Sequence, residues 1–495
     1  MASLGDGSTL EACAPGGKAA SIVVSQDMVL RVRLENGLVR GVAGVLAFVG
    51  LGLLTLLIVS NFVVGMFVDA RTPLHRDQME SLIAISPGSA RLYGRLAEAE
   101  LADPDRDLDA ASENIREAIA LSPYDYNLRL LAASIQEASG DRSAAEASLR
   151  SARALAPGSS AAHQRLGNLL LREDKLAESL EEFRAACAAD DSLLPGTLDL
   201  VWRVMKTPPG GAQLAAGTTS GKSPPEGGTL NASSPGALAA VEAVTPADPA
   251  SQMRLAQFLI KQSRPVEAGL VFSRIDRAER LRFPETGPFL TTLIQSGNGA
   301  LARSLWADLI GANPAELPLV WNGGFESTIG KTLNQFDWTI APTDYARVSI
   351  DTGTVHSGSR SLRIDFAGRD TTRLDGEIKQ VVVLRPGGRY RLEFYVRTDA
   401  LVSPEGPRIQ VAESGSGKVT AVSDAIPPGT NDWRLMSLEF TAPEGNPSAG
   451  VTMAMSVVRK PRFSYDEPTK GTVWFDDFGM DCRRPESQPS EAVGH

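Results

Sequence analysis

From Gly41 to Val68 the chain reads GVAGVLAFVGLGLLTLLIVSNFVVGMFV, with no charged residue and only Thr55, Ser60 and Asn61 clearly polar. As a helix rising about 1.5 Å per residue it would be roughly 40 Å long, more than the ~30 Å hydrocarbon core of a bilayer needs. A cleaved leader is the competing reading, because Val68-Asp69-Ala70 loosely resembles a small-x-small cleavage site. The length of the run and the forty residues ahead of it favour a single transmembrane helix over 41–68. Arg31, Arg33 and Arg40 precede the span and Arg71 and Arg76 follow it. This small positive excess predicts a cytoplasmic tail over 1–40 and an extracytoplasmic remainder.

With 495 residues the chain is too long for one core, so it divides into several folded units. Hydrophobic residues make up 43%, which is ordinary for globular protein, and the net charge of -10 argues against a nucleic-acid partner. Cys13, Cys187 and Cys482 lie far apart with no CxxC pair, which removes the case for a zinc site or a disulfide framework.

Behind the apolar run the chain has an internal period. Pro123 and Pro157 are 34 residues apart, and Pro87 lies 36 before Pro123, the difference fitting an insertion around 103-DPDR-106. Positions 93, 96, 97, 111, 115 and 118 of one unit (Tyr, Leu, Ala, Ala, Ile, Ala) match Ala132, Ala133, Ala145, Leu149 and Ala152 of the next, then Leu166, Gly167, Leu170, Phe183 and Ala186. Small residues at fixed places let paired helices approach, so 74–206 resembles the tetratricopeptide family, an all-α solenoid. Residues 207–247 begin with a Gly/Pro/Ser/Thr-rich stretch and are predicted to be a flexible linker. Leu255, Ala256, Leu259, Ala268, Phe272 and Ile275, then Ala302, Trp306 and Pro314, mark degenerate helical repeats over 248–316. Such arrays expose a concave surface for protein partners, and a plain helical spacer is the alternative.

From Leu319 the periodicity changes to alternation. Examples are Val348 and Ile350; Leu362, Ile364 and Phe366; Leu392, Phe394 and Val396; Leu435, Leu438 and Phe440; Met453 and Met455; Val473, Phe475 and Phe478. Gly- and Pro-containing turns at 356-HSGS-359, 385-RPGG-388, 427-PPGT-430 and 443-PEGN-446 separate the runs, which predicts an all-β jelly-roll sandwich over 317–484 and a disordered tail over 485–495.

The blocks 322-NGGFE-326, 355-VHSGSRSLRI-364, 378-IKQVVVLRPGGRYRLEFYVR-397, 432-DWRLMSLEF-440 and 473-VWFDDFGM-480 resemble, in this order, carbohydrate-binding modules of families 4, 9 and 22, of the galactose-binding-like fold. The resemblance implies a structural calcium held by Glu326, by Asp476 or Asp477, and by backbone carbonyls near Ser357, a cation that takes six to eight oxygens. Local pairing of Glu326 without an ion is the alternative. It also implies a sugar face. Alternation of Leu392, Phe394 and Val396 into the core leaves Glu393, Tyr395 and Arg397 on the other side, with Tyr395 as stacking platform and Arg363 and Gln410 on neighbouring strands. By the same resemblance Trp338, Trp433 and Trp474 are core residues.

The chain has four histidines and no GxSxG, P-loop or HExxH motif, and Asp476 and Asp477, adjacent on a strand, would face opposite ways, so no enzyme is expected. The expectation is a single-pass bacterial inner-membrane protein with periplasmic domains. The repeats would meet protein partners and the sandwich a polysaccharide, in the assembly or export of a surface polysaccharide. The alternative is a protein scaffold whose sandwich binds no sugar.

Overall fold

The computed structural model describes residues 37–69, 75–103, 107–206, 235–330, 332–463 and 467–483, together with the short strands β1 (Ile22–Val23) and β2 (Arg31–Val32). The rest of the 1–40 tail, most of the 207–247 linker, and the 485–495 tail lie outside the described residues. The chain divides into two compact units, Met1–Ala189 and Asp190–His495.

In the first unit, helix α1 (Gly37–Asp69) contains a window, Gly41–Val59, long and apolar enough to cross a membrane and not buried against the protein; a signal sequence would pass the same test. Helix α2 (Arg76–Ile85) precedes three antiparallel pairs: α3 (Ala90–Ala102) with α4 (Leu108–Leu121), α5 (Tyr126–Ala138) with α6 (Arg142–Leu155), and α7 (Ser160–Arg172) with α8 (Leu176–Ala189). Asp107 and Asp141 cap α4 and α6, each carboxylate accepting a backbone N–H at 3.0 Å, which satisfies donors that a helix start leaves open. The small residues of the repeat are the interhelical contacts. Ala97, Ala111, Ala118, Ala145 and Ala152 are fully buried. A Cβ on Gly167 would come within 2.9 Å of the Phe183 ring, so the glycine is what lets α7 and α8 close.

The second unit opens with α9 (Leu194–Lys206), assigned to the end of the first array by its sequence but grouped here with the later helices. Part of the predicted linker is also helical. α10 (Pro235–Val244) buries Ala237, Ala240, Val241 and Val244, a stripe at spacings of three and four that outweighs the flexible composition just before it. Then follow α11 (Pro249–Lys261), α12 (Pro265–Arg274), α13 (Arg277–Arg282), α14 (Thr286–Gln295) and α15 (Gly299–Ile310), burying Leu255, Ala256, Leu259, Ala268, Phe272, Ala302 and Trp306 as the period requires.

The strands are β3 (Thr339–Ile340), β4 (Ala346–Asp351), β5 (Ser361–Ala367), β6 (Leu374–Leu384), β7 (Arg389–Val402), β8 (Arg408–Glu413), β9 (Val419–Val422), β10 (Gly429–Thr441), β11 (Val451–Arg459) and β12 (Lys470–Arg483). They form two five-stranded antiparallel sheets, ordered β10-β7-β12-β5-β4 and β3-β6-β11-β8-β9. Between them lie Phe394, Phe475, Phe325, Met453 and Val382, all fully buried. Leu435, expected inside, is 44% exposed, because it shares parity with outward Tyr395 across the ladder while Leu438 and Phe440 turn inward.

The expected boundary at 316/317 is not a clean one. Trp306 of α15 packs edge-on against Trp321 and Phe336 and donates its indole N–H to the Leu333 carbonyl at 2.6 Å. Ala300 N–H donates to the Ala449 carbonyl at 2.8 Å, and Gly299 meets Thr452 and Val383 so closely that a Cβ would clash. Helix and sheet are packed together here, with α15 against β6 and β11.

Candidate functional site

The turn 322-NGGFE-326 enters the sandwich beneath β12. A Cβ on Gly323 would sit 2.0 Å from the Phe478 carbonyl oxygen, and Phe478 N–H donates to the Gly323 carbonyl at 3.0 Å, so only glycine allows this approach. Phe325 follows with φ 59° and packs its ring on Trp338 at 5.0 Å, leaving Glu326 directed at the loop before β5. Glu326 accepts from Ser359 N–H and hydroxyl, both at 2.7 Å, and from Arg360 N–H at 3.1 Å. The Ser359 hydroxyl and amide hold its carboxyl below the ordinary range.

The same loop is held from the other side by β12. Between Asp476 and Gly479 that strand takes one residue more than β7, and Asp477 adopts φ 50°, a β-bulge. The bulge returns Phe478 and Met480 to the core and corrects the expectation that the two aspartates face apart. Asp476, fully buried, accepts from His356 N–H at 2.9 Å and Ser357 N–H at 3.3 Å. Asp477 meets His356 Nδ1 at 2.6 Å and accepts from the Ser357 hydroxyl at 2.7 Å. Burial pushes the Asp476 carboxyl up against these donors.

The three carboxylates are therefore gathered as the resemblance implies, but their oxygens face N–H and O–H donors. A calcium shell needs six to eight oxygens converging on one point, and among the described residues no group of three acidic, histidine or cysteine side chains is arranged to hold a metal ion. As they stand, these groups form a hydrogen-bonded clasp.

This clasp places His356 over the predicted sugar platform. The imidazole stacks on Tyr395 with centroids 3.5 Å apart and planes 16° apart, and Trp433 meets the imidazole edge-on at 5.6 Å. Leu392, Phe394 and Val396 are buried and Glu393, Tyr395 and Arg397 half-buried on the outer face, as alternation requires. One face of Tyr395 is thus already occupied. Trp433, expected in the core, is half-exposed at the surface of β10 and supplies the open ring instead. Trp338 is buried as expected, whereas Trp474 is covered on the outer face, its N–H donating to Asp351 at 2.8 Å and the Arg363 guanidinium lying 5.4 Å from its ring.

The polar candidates divide. Arg397 lies 3.7 Å from Asp432, beside Trp433, and Glu393 pairs with Arg391 at 2.9 Å. Arg363, on β5 with β12 between it and β7, is held by both Asp365 oxygens at 3.0 Å, so its fork is engaged. Gln410 is on β8, in the opposite sheet, and cannot join this site; alternation within a strand does not say which sheet the strand joins. His356 was missed as a site residue. Its signal was the aromatic ring in a loop of glycines and serines immediately before a strand.

Residues 317–456 match the family described as carbohydrate binding domain (CBM_4_9). No curated protein sequence matches the chain. Among solved structures, one of a CBM4 is 20% identical, over 33% of this chain and 99% of that one, with a TM-score of 0.25. A thermophilic tetratricopeptide protein of Thermus thermophilus, TTC0263, is 25% identical, over 30% of this chain and 77% of that one, with a TM-score of 0.23. MamA is 13% identical, over 26% of this chain and 72% of that one, with a TM-score of 0.24. The chain is a solenoid of paired helices followed by a β-sandwich, and residues 317–456 of it match a carbohydrate binding domain.

Proposed function

We propose that the protein is a membrane-anchored, non-catalytic binding scaffold whose sandwich holds a glycan on the surface formed by Trp433, His356 and Arg397. The carbohydrate-binding-domain match over 317–456 is the observation that carries this reading. The geometry supports it in chemical terms, since a half-exposed indole beside a guanidinium offers a sugar both an apolar face and planar donors. Tyr395 acts beneath His356 as its support, and Glu393 lines the same face. Asp476 and Asp477 both serve the loop, which takes this adjacent pair of carboxylates out of consideration as a pair flanking a glycosidic bond.

The anchor would be α1, in a bacterial inner membrane, with the tail cytoplasmic and the folded units periplasmic. The repeats would take protein partners and the setting would be assembly or export of a surface polysaccharide. A reporter fused after His495 should report an extracytoplasmic location, and a cytoplasmic signal would overturn the orientation.

The test is retention of the full chain, in detergent, on a panel of immobilised polysaccharides. Trp433→Ala should weaken retention about tenfold, about 1.4 kcal/mol, at unchanged melting temperature. Retention unaffected by Trp433→Ala would move the site elsewhere. The second reading, a protein scaffold without sugar binding, is favoured by one observation, the occupied face of Tyr395. No retention on any member of the panel would establish it.

A further inference from the structure

A cavity of about 500 Å³ opens between α15 and the sandwich, away from the Trp433 surface. Its walls are in part apolar, from Leu319, Leu384, Pro314 and Pro447, and in part cationic, from Arg303 and Arg385. Arg303 donates to the Pro318 carbonyl and has no carboxylate partner among the described residues; burial alone lowers its pKa, with no acidic group opposing. Arg385 is exposed at the rim, and its backbone N–H donates to the Tyr390 hydroxyl at 2.8 Å. Tyr390, raised by burial, remains a neutral hydroxyl beside the Cys482 thiol at the cavity wall.

The charge around the cavity is one-sided. Arg389 and Arg483 face each other across β7 and β12, one register position beyond Tyr390 and Cys482, and neither forms an ion pair among the described residues. Alternation turns them to the opposite face of the sheet, so they contribute field and not contact. The neighbouring acids are Glu316, between the lining residues Pro314 and Leu317 and accepting from the Asn313 side-chain amide at 2.8 Å, Glu444, beside Gly387, and Asp481, opposite Arg391; among the described residues none pairs with Arg303 or Arg385. In a chain of net charge -10 such an unbalanced arginine cluster is unusual. A desolvated guanidinium without a counter-charge is costly unless a ligand supplies one.

We infer that this cavity is a second saccharide subsite, specific for a carboxylate-bearing sugar unit, with Arg303 at its floor and Arg385 at its rim. A guanidinium fork matches a carboxylate in two parallel hydrogen bonds, and the apolar wall suits the C–H face of a pyranose. The assignment rests on the glycan reading above and adds to it an acidic glycan and a separate location.

The test uses the full chain in detergent, titrated with a galacturonate hexasaccharide and with the same oligosaccharide after reduction of its carboxyls to neutral alcohols. The acidic form should bind at least about tenfold more tightly than the neutral one, and raised salt should narrow the gap. Arg303→Gln and, separately, Arg385→Gln should each remove most of that preference and leave affinity for the neutral form unchanged. The rim variant serves as the check should the floor variant fold poorly, because Arg385 is exposed. Bound ligand should also slow alkylation of Cys482 in a Cys13→Ser background. Equal affinity for the two oligosaccharides, or a preference that survives both substitutions, overturns the subsite while the glycan reading stands. Absence of binding by either oligosaccharide here and by every member of the polysaccharide panel overturns both.

Discussion

The helical pairs of the first unit and the sandwich of the second both bury a continuous core, but they close it differently. In the repeats the closing contacts are alanines and glycines whose partners lie within a repeat or in the next one, as in the Arg165 bonds to Leu130 and Ser134, 35 and 31 residues away. The sandwich is closed by bonds that join positions 120 residues apart, from the loop at His356 to the aspartates of β12. Damage to a repeat is therefore shared among neighbours, whereas damage to the clasp frees the loop before β5 from β12, the middle strand of its sheet.

The strongest way to break this contrast is Gly323→Ala. The added Cβ meets backbone and not a movable side chain, so the sandwich should lose about 3 kcal/mol or more, while the transition of the helical pairs stays where it was. A calorimetric scan that shows both transitions moving together would deny the independence of the two units. Leu149→Ala, in the fully buried core of α6, should cost about 3 kcal/mol and lower only the helical transition.

The clasp can be probed more finely with Glu326→Gln, which keeps an acceptor for each loop amide but removes the charge. The folded carboxyl titrates below its ordinary value, so its contribution is present above about pH 4.3 and disappears as pH falls through the lower, folded value. Melting temperatures of wild type and variant should differ at pH 7 and converge on acidification. Divergence on acidification would reverse the assignment. The smallest expected effect concerns calcium. Melting curves in calcium and in chelator should coincide, because hydrogen bonds already occupy the clasp. A gain of about 3 kcal/mol at a hundredfold excess of the ion over its dissociation constant would show that the loop can turn its carbonyls inward instead.

Much of this architecture was legible in the sequence, for physical reasons that differ by region. A helical repeat returns a small residue to the same contact every 34 positions, or 36 across the insertion at 103–106, so Ala97, Ala133 and Gly167 could be placed without coordinates. Strand alternation likewise oriented Tyr395 correctly. What alternation could not give was the identity of the neighbours. Gln410 obeys its own strand's parity yet faces away from Tyr395 because β8 belongs to the other sheet. The bulge at Asp477 breaks parity within a strand, and its effect, turning both aspartates onto one loop, follows from the register with β7 and not from the letters FDDF. His356 reaches Tyr395 only because that loop is clasped.

The seam at α15 bears on how such a chain could be assembled by recombination. A gene fragment starting at residue 317 would encode every strand of the sandwich but leave Trp321 and Phe336 facing water where Trp306 had been, and the Leu333 and Ala449 carbonyls without their donors. Transferred alone, the sheets would arrive with a ready-made sticky patch. In this chain the sandwich and the helix that roofs it are one packed unit.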